Sequence, residues 1–250
     1  MGAGAADVLT TGTENVAIGL NSLDASTVGN YNVAVGANSL TGDTQGSHSV
    51  AIGRSALETQ NLTSATDVYN VAIGSDAGAR NTTGIQNVFI GGLAGDHNTT
   101  ASNNVALGHK ALTANTTGDS NIAIGSNAMI TNTVCDRNVA VGNGALQTFN
   151  PASNADTYNI AVGYAALEDC TTGVRNTTMG GEAGEKITTG DNNTAIGYGA
   201  LYLSTTGDNN TSVGIYSLGN GVVTGDLNTA VGYAAGYSLT SGTNNLVLGS

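Results

Sequence analysis

The sequence predicts a parallel β-solenoid in which each stretch of about 17 residues makes one coil, and three observations predict it. A pentad of the form Asn-Val-Ala-Ile-Gly returns fourteen times along the chain. The spacing between successive copies is 17 residues ten times, 21 twice and 18 once. Seventeen residues suffice for two short extended segments and two turns, but not for a helix plus a strand with their connections.

The copies begin at Asn15, Asn32, Ser49, Asn70, Asn87, Asn104, Asn121, Asn138, Asn159, Asn176, Asn193, Asn210, Asn228 and Asn245. Numbering each unit from that residue, positions 2 to 4 are mostly β-branched and favour a strand. Position 5 is glycine in every copy, including Gly19, Gly36, Gly53 and Gly74, and marks a corner that a Cβ would strain. Position 8 is Ala or Ser, as in Ser22 and Ala56, and position 9 is Leu, Met or Gly, as in Leu23 and Met129. These two are expected to form a second, shorter extended segment. The Thr-Thr-Gly that follows, as at 116–118 and 205–207, reads as the return turn. Like positions then stack, because a single coil cannot bury its own apolar face. Asn15, Asn32, Asn70, Asn104 and Asn121 are expected to form a ladder of amides that bond backbone groups at the corner. Residues 1–13 read as a lead-in and 14–250 as one repeat domain.

The composition agrees. Glycine numbers 37, proline 1, tryptophan 0 and phenylalanine 2, with 10% charged residues where a globular enzyme has about 25%. High glycine without proline or a three-residue period excludes collagen. The formal net charge of −12, with 6 basic residues, excludes an electrostatic nucleic-acid surface and disfavours an anionic membrane. No apolar run is long enough to span a bilayer, and the first residues show no signal-peptide pattern. Cys135 and Cys170 lie two units apart, about 10 Å at strand spacing, which is too far for a disulfide.

Alternation along the strand puts positions 2 and 4 (Val16 and Ile18, Val71 and Ile73) on one face and position 3 (Ala17, Ala72) on the other. Both faces are apolar, so both require cover. The coil interior covers one. A stripe this long exceeds the few hundred Å² that monomers expose, and a second and third copy of the chain are the simplest cover for the other. The expected orientation places Val and Ile inside the coil and Ala at the seam between chains, with the reverse as the alternative.

The repeated pentads, such as Ser49-Val50-Ala51-Ile52-Gly53 followed by Ala or Ser three residues on, resemble the head repeats of YadA-type trimeric autotransporter adhesins. That resemblance implies a left-handed β-roll, a homotrimer and attachment to a surface receptor. The 17-residue period is longer than the coil of about 14 residues typical of those heads. The units with Thr-Thr-Gly and Asn-Thr-Ala-Ile-Gly, as at 189–197, are similar to those of phage tail fibres. Either likeness implies an extracellular setting, on a virion or a bacterial surface.

Candidate binding residues are few. Two units carry four extra residues, within 58–69 and 147–158, and these loops offer Asn61 and Asn154. Six of nine tyrosines lie between Tyr164 and Tyr237. Among them Tyr164, Tyr198 and Tyr233 share position 6, while Tyr202 and Tyr237 share position 10. Tyrosine offers contact area and a hydroxyl to a glycan or protein receptor. The threonines of position 13 suggest ice binding and the aspartates after the turn glycines suggest calcium, each more weakly. His48, His97 and His109 fall at unrelated positions, and neither a phosphate loop nor a nucleophile elbow is present. The reading is a non-enzymatic, cofactor-free adhesive module that pairs with itself and with a surface receptor. The alternatives are a monomeric solenoid binding a small ligand, ion or ice, and a purely structural filament subunit.

Overall fold

The computed structural model describes residues 2–153 and 155–250. Every regular element among them is a β-strand, and the chain winds as a parallel β-solenoid of fourteen rungs on the repeat read from the sequence. It falls into two compact units, 1–121 and 122–250. No helix among the described residues is long and apolar enough to cross a membrane.

The first unit contains β1 (Val16–Ile18), β2 (Val33–Val35), β3 (Gly46–Ser47), β4 (Val50–Ile52), β5 (Thr66–Asp67), β6 (Val71–Ile73), β7 (Val88–Ile90) and β8 (Val105–Leu107). Strands β1, β2, β4, β6, β7 and β8 pair in parallel, with position 2 beside position 2: Val16 with Val33, Val33 with Val50, and Val50 with Val71. The 21-residue rung therefore keeps register by looping its extra residues outward. On its return limb β5 pairs in parallel with β3 of the preceding rung. The winding already runs through the expected lead-in. Ala6 N–H donates to the Ser22 carbonyl at 2.9 Å, and Thr10 N–H to that of Thr27 at 3.0 Å.

The second unit contains β9 (Ile122–Ile124), β10 (Val139–Val141), β11 (Ile160–Val162), β12 (Thr177–Met179), β13 (Thr194–Ile196), β14 (Thr211–Val213), β15 (Thr229–Val231) and β16 (Leu246–Leu248). These pair in parallel in chain order, again like with like, as Thr177 with Thr194 and Thr194 with Thr211.

Inside each unit two contacts fix the coil. At position 5 the backbones of successive rungs touch. A Cβ on Gly36, whose φ is +131°, would lie 2.4 Å from the Gly53 carbonyl oxygen, and one on Gly180 would lie 2.5 Å from that of Gly197. Only glycine fits there. At position 1 the asparagine makes two bonds. The Asn32 N–H donates to Asn15 Oδ1 at 2.9 Å, and Asn32 Nδ2 donates to the Gly46 carbonyl of its own return turn at 2.8 Å. Asn176 repeats both bonds in the second unit, to Asn159 Oδ1 and the Gly190 carbonyl. The expected amide ladder is thus mainly a ladder of amide-to-backbone bonds.

The structure corrects two expectations. Positions 8 and 9 do not form an extended segment. Positions 7 and 9 take positive φ, for example Asn38 at 59° and Leu40 at 50°, and the two neighbours Ser39 and Leu40 are both fully buried. A strand alternates its side chains and would bury only one of them. Left-handed backbone costs a leucine about 1–2 kcal/mol, and full burial of its side chain returns roughly 1.5–3 kcal/mol, so packing decides the conformation.

The second correction concerns the strand faces. Position 3 points inward, with Ala34, Ala51, Ala72, Ala140 and Ala195 fully buried, while Ile52, Ile73, Leu107, Ile196 and Val231 at position 4 are exposed. Val and Ile therefore lie outside and Ala inside, the reverse of the expected orientation. The reason is space: Leu at position 9 enters the thin coil from the opposite wall and leaves room only for a methyl group.

One rung shows this volume exchange directly. Phe89 replaces alanine at position 3, and position 9 is glycine in its own rung and the preceding one. A Cβ on Gly78 or Gly95 would lie 2.5 or 2.4 Å from the Phe89 ring. Phe89→Ala is expected to cost about 3–5 kcal/mol by emptying this space. Adding Gly95→Leu, which restores the usual Ala/Leu pair, is expected to recover part of it. Chemical denaturation of both variants measures the effect, and no recovery in the double variant would contradict the packing scheme.

Candidate functional site

The two long rungs belong to different units, and each builds the same device. Asn61 sits at position 13 of its rung, where its Oδ1 accepts a bond from Thr44 Oγ1 at 2.9 Å. Asn150 occupies the equivalent place and accepts one from Thr133 Oγ1 at 2.7 Å. The sequence pairs Asn61 with Asn154 as loop residues. The structural counterpart of Asn61 is Asn150, and Asn154 lies outside the described residues.

Each loop ends in Asp-x-Tyr-Asn, at 67–70 and 156–159. Asp67 Oδ1 lies 3.1 Å from His48 Nδ1 of the preceding rung. The Tyr69 ring packs on that same imidazole at 5.1 Å, and Tyr31 stacks on its other side at 4.8 Å. In the second unit Asp156 pairs with Arg137, whose guanidinium stands 6.0 Å from the Tyr158 ring, and Tyr158 Oη donates to Asp156 Oδ2 at 3.1 Å. A carboxylate and a ring thus hold one cationic or imidazole side chain at the root of each loop. The shared motif is visible in the sequence, but columns counted at a strict 17-residue spacing hide it.

Beneath the first loop lies a buried polar network that answers the one break in the asparagine column. Ser49 stands where asparagine is the rule, and its Oγ accepts from Gln60 Nε2 at 3.0 Å. Gln60 Oε1 accepts from Asn70 Nδ2 at 2.9 Å, and Gln60 Nε2 also donates to Asp43 Oδ2 at 2.6 Å. Burial pushes the Asp43 carboxyl above its usual range, against the opposing hydrogen bonds from Gln60 and the Gly46 N–H. The same interior position holds Asn81, Asn98 and Asn115 in later rungs, where Asn98 Nδ2 donates to Asn81 Oδ1 at 2.8 Å and Asn115 Nδ2 to Asn98 Oδ1 at 2.9 Å. This second asparagine column escapes a reading that follows only the pentad.

The tyrosines of the second unit lie on its surface, Tyr164 and Tyr233 at 64% exposure and Tyr198 at 44%. Tyr237 is exposed and Tyr202 half-buried. Tyr198 and Tyr237 are joined through Tyr216, with edge-to-face contacts of 5.4 and 6.4 Å. Tyr216 is at position 7 and so belongs to neither predicted column; its nearness follows from counting 18 residues on from Tyr198. A hydrogen bond with Glu182, then one with Tyr216, pushes the Tyr198 phenol up to about 12. The negative charge of Glu185 raises the Tyr202 phenol, and Lys186 Nζ reaches Asp169 Oδ2 at 2.9 Å. These rings are open to solvent on their edges and faces, with the Glu182 and Glu185 carboxylates beside them.

The weaker candidates serve the coil. Thr82 and Thr99 of position 13 each donate their hydroxyl to the next rung's carbonyl, at 2.9 and 2.8 Å. Asp208 Oδ1 accepts the Asp191 N–H at 2.7 Å, and Asp226 Oδ1 that of Asp208 at 2.8 Å. Cys135 and Cys170 are buried, and desolvation pushes their thiols up to about 11 and about 12. No protein-family model, curated protein or solved structure matches the chain.

Asp43 yields a pH prediction. Its raised folded-state pKa means that it favours folding fully below its ordinary value of 3.8 and that this contribution is lost as pH rises through the folded-state value. Asp43→Asn reproduces the arrangement of Asn81 and removes the buried charge. Thermal unfolding is expected to show the variant more stable than the wild type at neutral pH, by on the order of 1 kcal/mol. The two should converge near pH 3, and a gain of the same size at both pH values would contradict the assignment.

Proposed function

We propose that the chain is a structural and adhesive fibre module that works as a homotrimer outside the cell, in a bacterial adhesin head or a virion tail fibre, and attaches to a glycan or protein receptor. One observation carries this reading. Positions 2 and 4 face outward, and across all fourteen rungs they hold no charged residue, while position 4 is apolar in every one. On a chain of net charge −12 that is a neutral lane along which two copies meet without like-charge repulsion. A face that repeats once per rung is matched best by a surface of the same repeat, which another copy supplies. The likeness of the pentads to YadA-type heads and tail fibres supports threefold closure and attachment.

The receptor contacts fall to side chains off that lane. Tyr164, Tyr198 and Tyr233 bring exposed rings, and the loops beginning at Asn61 and Asn150 project from the return limbs. Light scattering on the purified chain is expected to give three times the chain mass of 24.7 kDa. A particle of one chain mass would remove the trimer. Tyr198→Ala combined with Tyr233→Ala is expected to keep that mass and lose binding to host cells or an immobilised glycan array. Unchanged binding would remove the tyrosines from the contact.

A further inference from the structure

The outward face is not uniform, and its asymmetry fixes which column of side chains lies deepest between copies. In the first unit both columns are aliphatic, as in Val71 with Ile73, and do not discriminate. In the second unit four consecutive rungs carry threonine at position 2: Thr177, Thr194, Thr211 and Thr229. Their partners at position 4 stay apolar: Met179, Ile196, Val213 and Val231. In three of these four rungs position 4 is also the more open of the pair, Val213 being half-buried like Thr211. Met179 is 48% exposed, Ile196 38% and Val231 40%, whereas all four threonines are half-buried.

We infer that, in the homotrimer proposed above, the position-4 column of one chain meets the position-4 columns of the other copies at the symmetry axis, and the position-2 column forms the rim. The inference rests on that reading of the assembly. Interfaces place apolar side chains at the dry centre and polar ones at the wet margin. A threonine at the margin keeps its hydroxyl in water, while at the centre the same hydroxyl would need a partner or be left unsatisfied. Four rungs in a row accept threonine at position 2 and none accepts a polar residue at position 4, so the margin runs along position 2. Around a rotation axis the innermost residues face their own symmetry copies, whereas residues at the rim face a different part of the neighbour. Met179 then meets Met179, and Ile196 meets Ile196. The varied sizes of the position-4 residues fit this self-pairing, because each rung has only to match itself.

Single cysteines test the assignment in this 250-residue chain, whose own two cysteines are buried. Ile196→Cys and Thr194→Cys lie in one strand on one face, and each is exposed to a mild oxidant and read on a non-reducing gel. A disulfide forms only where Cα atoms approach within about 7 Å, so Ile196→Cys is expected to give linked chains roughly tenfold faster than Thr194→Cys. Val231→Cys and Thr229→Cys repeat the comparison two rungs away, should either first variant fail to fold. Equal or faster linking at the threonine positions, with the trimer mass retained, overturns the inference and leaves the trimer standing. A single-chain mass in light scattering overturns both.

Discussion

The position-1 asparagine is the interaction on which the rest of the fold depends. Its Oδ1 accepts the N–H of the next rung's asparagine and its Nδ2 donates to the carbonyl that closes its own coil, as Asn104 does with the Asn121 N–H and the Gly118 carbonyl. One planar side chain therefore sets both the pitch between rungs and the closure of each rung. Neither aspartate, which lacks the donor, nor serine, which lacks the reach, supplies both bonds. Where Ser49 breaks the column, Gln60 brings an amide in from the opposite limb, and the buried carboxyl of Asp43 is drawn into the same network.

With pitch and closure fixed, the interior becomes a question of volume. The coil is thin, so leucine from the turn wall and alanine from the strand together fill it, and Phe89 enters only where Gly78 and Gly95 make way. Filling the inside with alanine sends the β-branched residues outward. The part of the molecule that looks like a core in the sequence is thus an outward face without charge. The proposed function rests on this inversion, with the strand face assigned to lateral association and the loops and tyrosines to a receptor.

The sequence made the winding legible because the glycine of position 5 and the asparagine of position 1 are demanded by backbone geometry, which tolerates almost no substitute. It did not reveal which strand face points inward, since Val-Ala-Ile is apolar on both sides and polarity cannot choose between them. The choice came from the left-handed turn wall at Leu40 and its equivalents, which carries no familiar sequence signal because leucine is an uncommon left-handed residue. At the candidate site, the paired loops were visible as insertions. The motif that roots them, Asp67 with Tyr69 and Asp156 with Tyr158, was obscured because the insertion shifts it out of the column count. Tyr216 was missed because it stands at position 7, one residue out of step with the position-6 column of Tyr198.

Deuterium exchange of the asparagine side-chain amides, followed by nuclear magnetic resonance, tests the central role of position 1 most directly. The Nδ2 protons of Asn87 and Asn104, buried and bonded to the Ala101 and Gly118 carbonyls, should persist long after those of the exposed Asn192 have exchanged. If the two sets exchange at the same rate, these amides do not hold the coil together, and the position-1 column is not what sets the winding.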